Sequence, residues 1–146
     1  MLDEPFTGLD PLVRDELIEG LLARAEGTTN FISSHDLGEM ESFASHIGYL
    51  DGGKLRISEE LETLSARFRE VVLTFDSPPE RPREMPADWM HLDIAGNVVR
   101  FVETQYDERA IADLARRVFP TYREMEVNGM PLRSIFVALA KKGRDV

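Results

Sequence analysis

Two short stretches near the start of the chain predict strands: the apolar pair Met1-Leu2 and a second stretch that contains β-branched and aromatic residues, with a helix-forming segment between them. The acidic pair Asp3 and Glu4 follows the first stretch, and His35 follows the second, at 28–33. Between them, Asp10 before a proline is a strong helix start, because aspartate caps the first turn and proline loses no hydrogen bond there. This order predicts two neighbouring parallel strands whose polar ends gather at one edge of a sheet.

These residue types suit a triphosphate site. A carboxylate at the end of a buried strand can hold Mg²⁺ beside a triphosphate, and a second carboxylate can polarise an attacking water. An imidazole at the neighbouring strand end could contact the γ-phosphate. Taken alone, an acidic pair near a terminus is more often a solvated surface feature. The spacing of His35 and His46 with nearby acids matches no standard zinc signature.

Composition limits the class of protein. The 146 residues include 42% hydrophobic and 30% charged residues, which is typical of a folded globular chain with one domain or two small ones. The net charge of −10 argues against a nucleic-acid partner, which would require a basic surface. The sequence has no cysteine, so disulfides and thiolate metal sites are excluded. No apolar run is long enough to span a membrane.

The N-terminal motifs resemble the second half of the ATP-hydrolysing cassette of ABC transporters. Leu2-Asp3-Glu4-Pro5 is similar to the Walker B motif, Gly8-Leu9-Asp10 to the D-loop and Ser34-His35-Asp36 to the switch-histidine segment. The three motifs occur in the family's order and spacing, and the match covers residues 1 to about 60, so the resemblance is specific. Residues 70–146 more loosely resemble the C-terminal extension of drug-export cassettes.

The resemblance implies a role for each matching residue. Asp3 would hold Mg²⁺, Glu4 would act as the general base and His35 would sense the γ-phosphate. Asp10 and Ser34 would contribute to nucleotide binding, and Asp10 would also face the second cassette. The implied cofactors of the intact subunit are ATP and Mg²⁺. The implied partners are a second copy of the nucleotide-binding subunit and a transmembrane permease, which would keep the protein cytoplasmic at the inner face of the membrane.

Other motifs of the same family are not found in the sequence. It contains no phosphate-binding loop of the form G-x-x-x-x-G-K-[ST], no Leu-Ser-Gly-Gly signature and no glutamine-bearing loop. Segment 48–55 fits most of the loop pattern but lacks the final Ser or Thr, and its Asp51-Gly52-Gly53 predicts a hairpin turn instead. We therefore expect a C-terminal fragment of an exporter's ATP-binding subunit that alone neither binds nor hydrolyses ATP.

The predicted fold class is α/β, with the C-terminal part of a P-loop NTPase domain followed by a small α+β domain. The predicted domains are 1–68 and 69–146. In the first, we expect the helix after Asp10 to end near Gly27, followed by a strand at 28–33, a short helix, a hairpin and a helix capped by Ser58. In the second, the elements follow the order β-β-β-α-β-α, with Asp107 capping the first helix and Trp89 in a small core.

The N-terminal segment has an expected weakness. Without the strand that carries the phosphate loop, residues 1–60 would leave a sheet edge unpaired. We therefore expect this segment to be loosely held, rearranged or paired with a second copy by strand exchange into a homo-oligomer. The alternative function is a non-catalytic regulatory or dimerisation module that keeps a vestigial ATPase segment.

Overall fold

The computed structural model describes residues 1–144, which divide into two compact units. The first unit is Met1–Ser45, and the second begins at His46. The domain boundary between 68 and 69 stays a prediction. No helix in the described part of the chain is both long and apolar enough to cross a membrane.

The first unit alternates short strands and helices. Its elements are β1 (Leu2–Asp3), α1 (Pro11–Ala23), β2 (Ile32–Ser33) and α2 (Leu37–Phe43). Strands β1 and β2 pair in parallel, with Asp3 opposite Ser33. Parallel neighbours require a crossover connection, and α1 lies within it. The predicted parallel pair, with polar residues following both strands at one edge, is confirmed.

Aspartate caps begin both helices of this unit. The Asp10 carboxylate accepts the backbone N–H of Leu12 at 2.9 Å, and the Asp36 carboxylate accepts that of Glu39 at 3.2 Å. The predicted helix start at Asp10 is therefore confirmed. Helix α1 ends at Ala23, one turn before the expected end near Gly27.

The first unit buries little apolar surface. Phe6, at 5% exposure, is its one buried hydrophobic residue, and its ring packs edge-on against Phe43 with centroids 5.5 Å apart. No residue of α1 is buried, and Phe31 is 70% exposed. Strand β2 is shorter than the predicted 28–33, since only Ile32 and Ser33 pair with β1. Burial therefore contributes little to the stability of this unit.

The second unit contains a hairpin and a larger sheet with three helices. Its elements are β3 (His46–Asp51), β4 (Lys54–Glu60), α3 (Leu61–Arg67), β5 (Arg69–Thr74), β6 (Trp89–Ala95), β7 (Val98–Glu103), α4 (Ile111–Val118), β8 (Glu124–Gly129) and α5 (Leu132–Arg144). From β5 onward the order is β-β-β-α-β-α, as predicted. The four strands of the larger sheet lie in the order β6-β7-β5-β8, and every pair is antiparallel.

The glycine pair of segment 48–55 makes a tight turn. Strands β3 and β4 are antiparallel, and Asp51 pairs with Lys54 across the turn. Gly52 and Gly53 have φ angles of 57° and 75°, the left-handed values that two-residue hairpin loops of this kind require. The predicted hairpin is confirmed, and a phosphate-binding loop at this position is excluded.

Two predicted helix caps are wrong. Ser58 lies inside β4, because strand pairing continues as far as Glu60, and α3 begins directly after that residue without a side-chain cap. The N-cap of α4 is Ala110 rather than Asp107. The Asp107 carboxylate instead accepts the backbone N–H of Arg109 at 2.8 Å, so it closes the turn that precedes the helix.

The second unit has a continuous hydrophobic core. One face of the larger sheet packs against α4, and the cluster comprises Val71, Leu73, Phe75, Trp89, Leu92, Val99, Phe101, Ile111, Ala115, Phe119 and Tyr122. The indole of Trp89 stacks on Phe101 with ring centroids 3.8 Å apart, which confirms its predicted place in the core. Tyr49 stacks on Phe136 at 4.7 Å, so the hairpin packs against α5.

Candidate functional site

The ends of β1 and β2 bring Glu4 and His35 into contact. Nδ1 of His35 lies 2.8 Å from Oε1 of Glu4. The backbone N–H of Glu4 is shared between the carbonyl oxygen of Ser33 at 3.0 Å and its hydroxyl at 3.1 Å, which extends the parallel pairing by one residue. Two residues separated by 31 positions therefore meet because their strands pair in this register.

The pKa of His35 is raised above its ordinary value of 6.5. The main cause is the hydrogen bond to Glu4, the negative charges of Glu4 and Asp36 add to it, and desolvation opposes it. A raised pKa in the folded state stabilises the fold below pH 6.5, and this contribution disappears as the pH rises through the folded-state pKa. The site thus favours an imidazolium paired with a carboxylate, a group that can donate hydrogen bonds to phosphate oxygens.

The backbone at Glu4 adopts an unusual conformation. Its φ angle is 47°, in the left-handed region that costs a non-glycine residue of order 1 kcal/mol. A tight turn follows, in which the N–H of Thr7 donates to the carbonyl of Glu4 at 3.3 Å. The hydroxyl of Thr7 also donates to the other carboxylate oxygen of Glu4 at 3.4 Å. Such conformations cluster at functional sites, where surrounding contacts impose them.

Asp3 lies beside Ser33, and the Ser33 hydroxyl donates a hydrogen bond to the Asp3 carboxylate. The described residues contain no group of three or more His, Cys, Asp or Glu that could hold a metal ion by themselves. Mg²⁺ commonly takes only one or two protein carboxylates and completes its shell with water and substrate phosphates. The carboxylate of Asp3, which accepts the Ser33 hydrogen bond, therefore fits Mg²⁺ as the companion of a bound triphosphate.

The two predicted nucleotide-binding residues are placed differently. Ser34 lines an open cleft of about 250 Å³ together with Glu4 and His35. Its hydroxyl accepts the backbone N–H of Asp36 at 3.0 Å. Asp10 is not among the residues that line this cleft, and it caps α1 instead. The roles assigned to all five candidate residues stay predictions.

Two residues of the cleft were missed by the sequence analysis. Arg14 of α1 donates a hydrogen bond from its guanidinium to the carboxylate of Glu39 in α2, and both line the cleft. Their side chains are 25% and 12% exposed, which is low for residues of their charge. Asp36 and Glu39 have the three-residue spacing of a capping box. This spacing was the sequence pattern that could have drawn attention to Glu39.

No protein-family model matches the chain. Among curated proteins, the chain is 29% identical over 141 residues to an uncharacterized ABC transporter ATP-binding protein of Alkalihalophilus pseudofirmus. That alignment covers 94% of the chain and 52% of the relative.

Other relatives match a shorter part of the chain. The thiamine import ATP-binding protein ThiQ of Vibrio parahaemolyticus is 35% identical over 75 residues, which covers 50% of the chain and 32% of the relative. The lantibiotic transport ATP-binding protein SrtF of Streptococcus pyogenes is 40% identical over 77 residues, which covers 50% of the chain and 34% of the relative. The chain thus spans about half, or less, of the length of the curated relatives it matches.

Proposed function

This chain is related in sequence to the ATP-binding proteins of ABC transporters, and from that premise we propose that the whole protein hydrolyses ATP to drive export through a membrane permease. The observation that carries the proposal is the 2.8 Å contact between Glu4 and His35 at the ends of paired parallel strands. Ligands of open α/β sheets bind at such carboxyl ends.

Glu4 is the general base in this proposal. In hydrolysis the oxygen of a water molecule bonds to the γ-phosphorus, and the bond from that phosphorus to the β,γ-bridging oxygen breaks. The water loses a proton, which the Glu4 carboxylate accepts. A positioned general base typically contributes 10²- to 10⁴-fold to such a rate. The position of Glu4 after β1 and its hydrogen bonds to His35 and Thr7 support this assignment, because they fix the carboxylate.

His35 is the proposed sensor of the γ-phosphate. Its side chain is 84% exposed, so the ring can reach a ligand while Nδ1 stays bonded to Glu4. The raised pKa of His35 supports a role that needs the protonated ring. Hydrogen bonds from a cationic donor to phosphate are roughly twice as strong as those between neutral groups.

The proposed ligand contacts complete the site. Asp3, supported by Ser33, would hold Mg²⁺, which neutralises charge on the phosphates when it is bound. Ser34 would contribute to nucleotide binding from the same cleft. Asp10 would face a second copy of the subunit, as its resemblance to the D-loop aspartate implies, and in this chain its carboxylate caps α1 and does not line the cleft.

The direction of transport rests on the second unit. One relative is named for thiamine import and another for lantibiotic transport, so the names of these relatives do not decide the direction of transport. We assign export because residues 70–146 resemble the extension of drug-export cassettes and have the expected β-β-β-α-β-α order. The proposed location is the inner face of the membrane, reached through the permease.

The 146-residue chain alone is expected not to bind Mg-ATP, because its sequence contains no backbone loop to cradle the phosphates. Binding to the folded state would raise its stability by about 2.7 kcal/mol at a hundredfold excess of ligand over the dissociation constant. We expect no change in thermal midpoint or in Trp89 emission on titration with Mg-ATP. A saturable rise in the thermal midpoint would contradict this expectation.

A non-catalytic regulatory or dimerisation module is the second candidate function. The observation that favours it is the distribution of the core: apart from Phe6, every buried hydrophobic residue of the described chain lies in the second unit. The reading frame upstream of the chain discriminates the two candidates. A phosphate-binding loop encoded there supports the exporter subunit, whereas a frame that starts at Met1 supports the module.

A further inference from the structure

The ion pair between Arg14 and Glu39 joins the two helices of the first unit. Arg14 lies in the first turns of α1 and Glu39 in the first turn of α2, 25 positions apart. Both side chains are mostly shielded from solvent, so salt and water screen this pair less than an exposed one. Both residues line the cleft that contains Glu4 and His35.

A chain of hydrogen bonds links Glu39 to the segment that carries His35. The backbone N–H of Glu39 donates to the Asp36 carboxylate at 3.2 Å, and the backbone N–H of Asp36 donates to the Ser34 hydroxyl at 3.0 Å. His35 is the residue between these two partners. The first turn of α2 therefore sets the backbone position from which the imidazole extends toward Glu4.

Arg14 is tied in a similar way to the segment that carries Glu4. Its backbone N–H donates to the carbonyl of Asp10 at 2.9 Å, which fixes it to the beginning of α1. The turn between Glu4 and Asp10 connects β1 to this helix, and the N–H of Leu9 donates to the carbonyl of Phe6 within it. The ion pair thus joins the helix that follows Glu4 to the helix that follows His35.

We propose that Arg14 and Glu39 are positioning residues that hold His35 against Glu4 for ATP hydrolysis. The proposal rests on the proposed function for its catalytic meaning, and on the hydrogen bonds above for its geometry. Neither residue touches the reacting atoms in this role. The pairing of β1 with β2 aligns two residues on each strand and is extended by one at Glu4, and the ion pair adds a second connection between the two segments beyond the strand ends.

The test is the pKa of His35 in the Arg14→Gln variant, measured by NMR titration of the imidazole without nucleotide. In this variant, the loss of the Arg14 charge and the loss of positioning would shift the pKa of His35 in opposite directions. Removal of a nearby positive charge, with Glu39 left negative, would raise the pKa of His35. Loss of positioning would weaken the bond to Glu4 and lower the pKa toward 6.5. We expect the lower pKa, and an unchanged or higher value would overturn the proposal.

Two further variants complete this test. Arg24→Gln removes an exposed arginine at the C-cap of the same helix and should leave the pKa of His35 unchanged. The exchange Arg14→Glu with Glu39→Arg should restore the raised pKa, because it rebuilds the pair in reverse. If Arg14→Gln loses the dispersed amide signals of the first unit, the variant is unfolded and the double exchange becomes the test. Failure of the double exchange to restore the raised pKa of His35 would overturn the proposal.

The outcome is independent of ATP chemistry. If the pKa of His35 falls in Arg14→Gln as expected but an intact subunit shows no hydrolysis, the proposed function is contradicted and the positioning role stands. If hydrolysis depends on Glu4 but the pKa of His35 is the same with and without Arg14, the positioning role is contradicted and the proposed function stands.

Discussion

Replacement of Glu4 by glutamine is expected to lower ATP hydrolysis about 100-fold or more in an intact subunit that contains this chain. Such a subunit can be built by exchanging the aligned segment of the Alkalihalophilus pseudofirmus relative for the chain, because the alignment covers 94% of the chain. Glutamine keeps the shape of the side chain but cannot accept a proton from water. Nucleotide binding should persist, so the loss should appear in kcat rather than in the affinity for ATP.

Glu16→Gln is the matched control in this hybrid protein. Glu16 is an exposed residue of α1, and the substitution changes the same functional group by the same atoms. We expect its rate of hydrolysis to equal that of the unmodified hybrid. Equal rates with and without the Glu4 carboxylate would contradict its role as the general base, and a folded hybrid without any hydrolysis would count against the proposed function itself.

Leu73→Ala is expected to lower the free energy of unfolding of the second unit by about 2–5 kcal/mol. Leu73 is a fully buried residue of β5, within the cluster that includes Trp89 and Phe101. Removal of its terminal carbons loses apolar burial and leaves a cavity that the surrounding strands fill only in part. Urea unfolding followed by Trp89 fluorescence measures the loss, since the indole lies in the same cluster.

Leu50→Ala makes the same chemical change at a side chain that is 72% exposed. Its expected cost is within about 0.5 kcal/mol, the usual range for surface positions. Equal losses at Leu50 and Leu73 would show that the cluster around β5 is not the stabilising core.

The sequence was most informative where chemistry depends on neighbours along the chain. The position of Asp10 before a proline specified a helix start, and Gly52-Gly53 specified a hairpin turn, because capping and left-handed turns are local requirements. The proximity of Glu4 and His35 was also predictable, since both residues follow predicted strands, and neighbouring parallel strands bring their ends to one edge of a sheet.

Contacts between distant side chains were not predictable in this way. Arg14 and Glu39 carry no signal of pairing across 25 positions, because either residue would be equally suitable on a solvated helix face. Ser58 has a good capping side chain, but tertiary strand pairing overrides that local preference.

The burial of one acidic residue in the second unit, Glu103, was also not predictable from the sequence. Glu103 is 2% exposed, and desolvation raises the pKa of its carboxyl group. Hydrogen bonds from the backbone of Gln105 and from the indole of Trp89 oppose this shift. A pattern of alternating residues predicts the strand, but it does not reveal that an acid ends it inside the core.

The contact between Glu4 and His35 is tested most directly by NMR titration of His35 in the chain and in its Glu4→Gln variant. The hydrogen bond and the charge of Glu4 raise the pKa of the imidazole, so we expect a value above 6.5 in the chain and a clear fall toward 6.5 in the variant. An ordinary pKa of His35 that is identical in both proteins would contradict the contact, and with it the catalytic site proposed at the ends of β1 and β2.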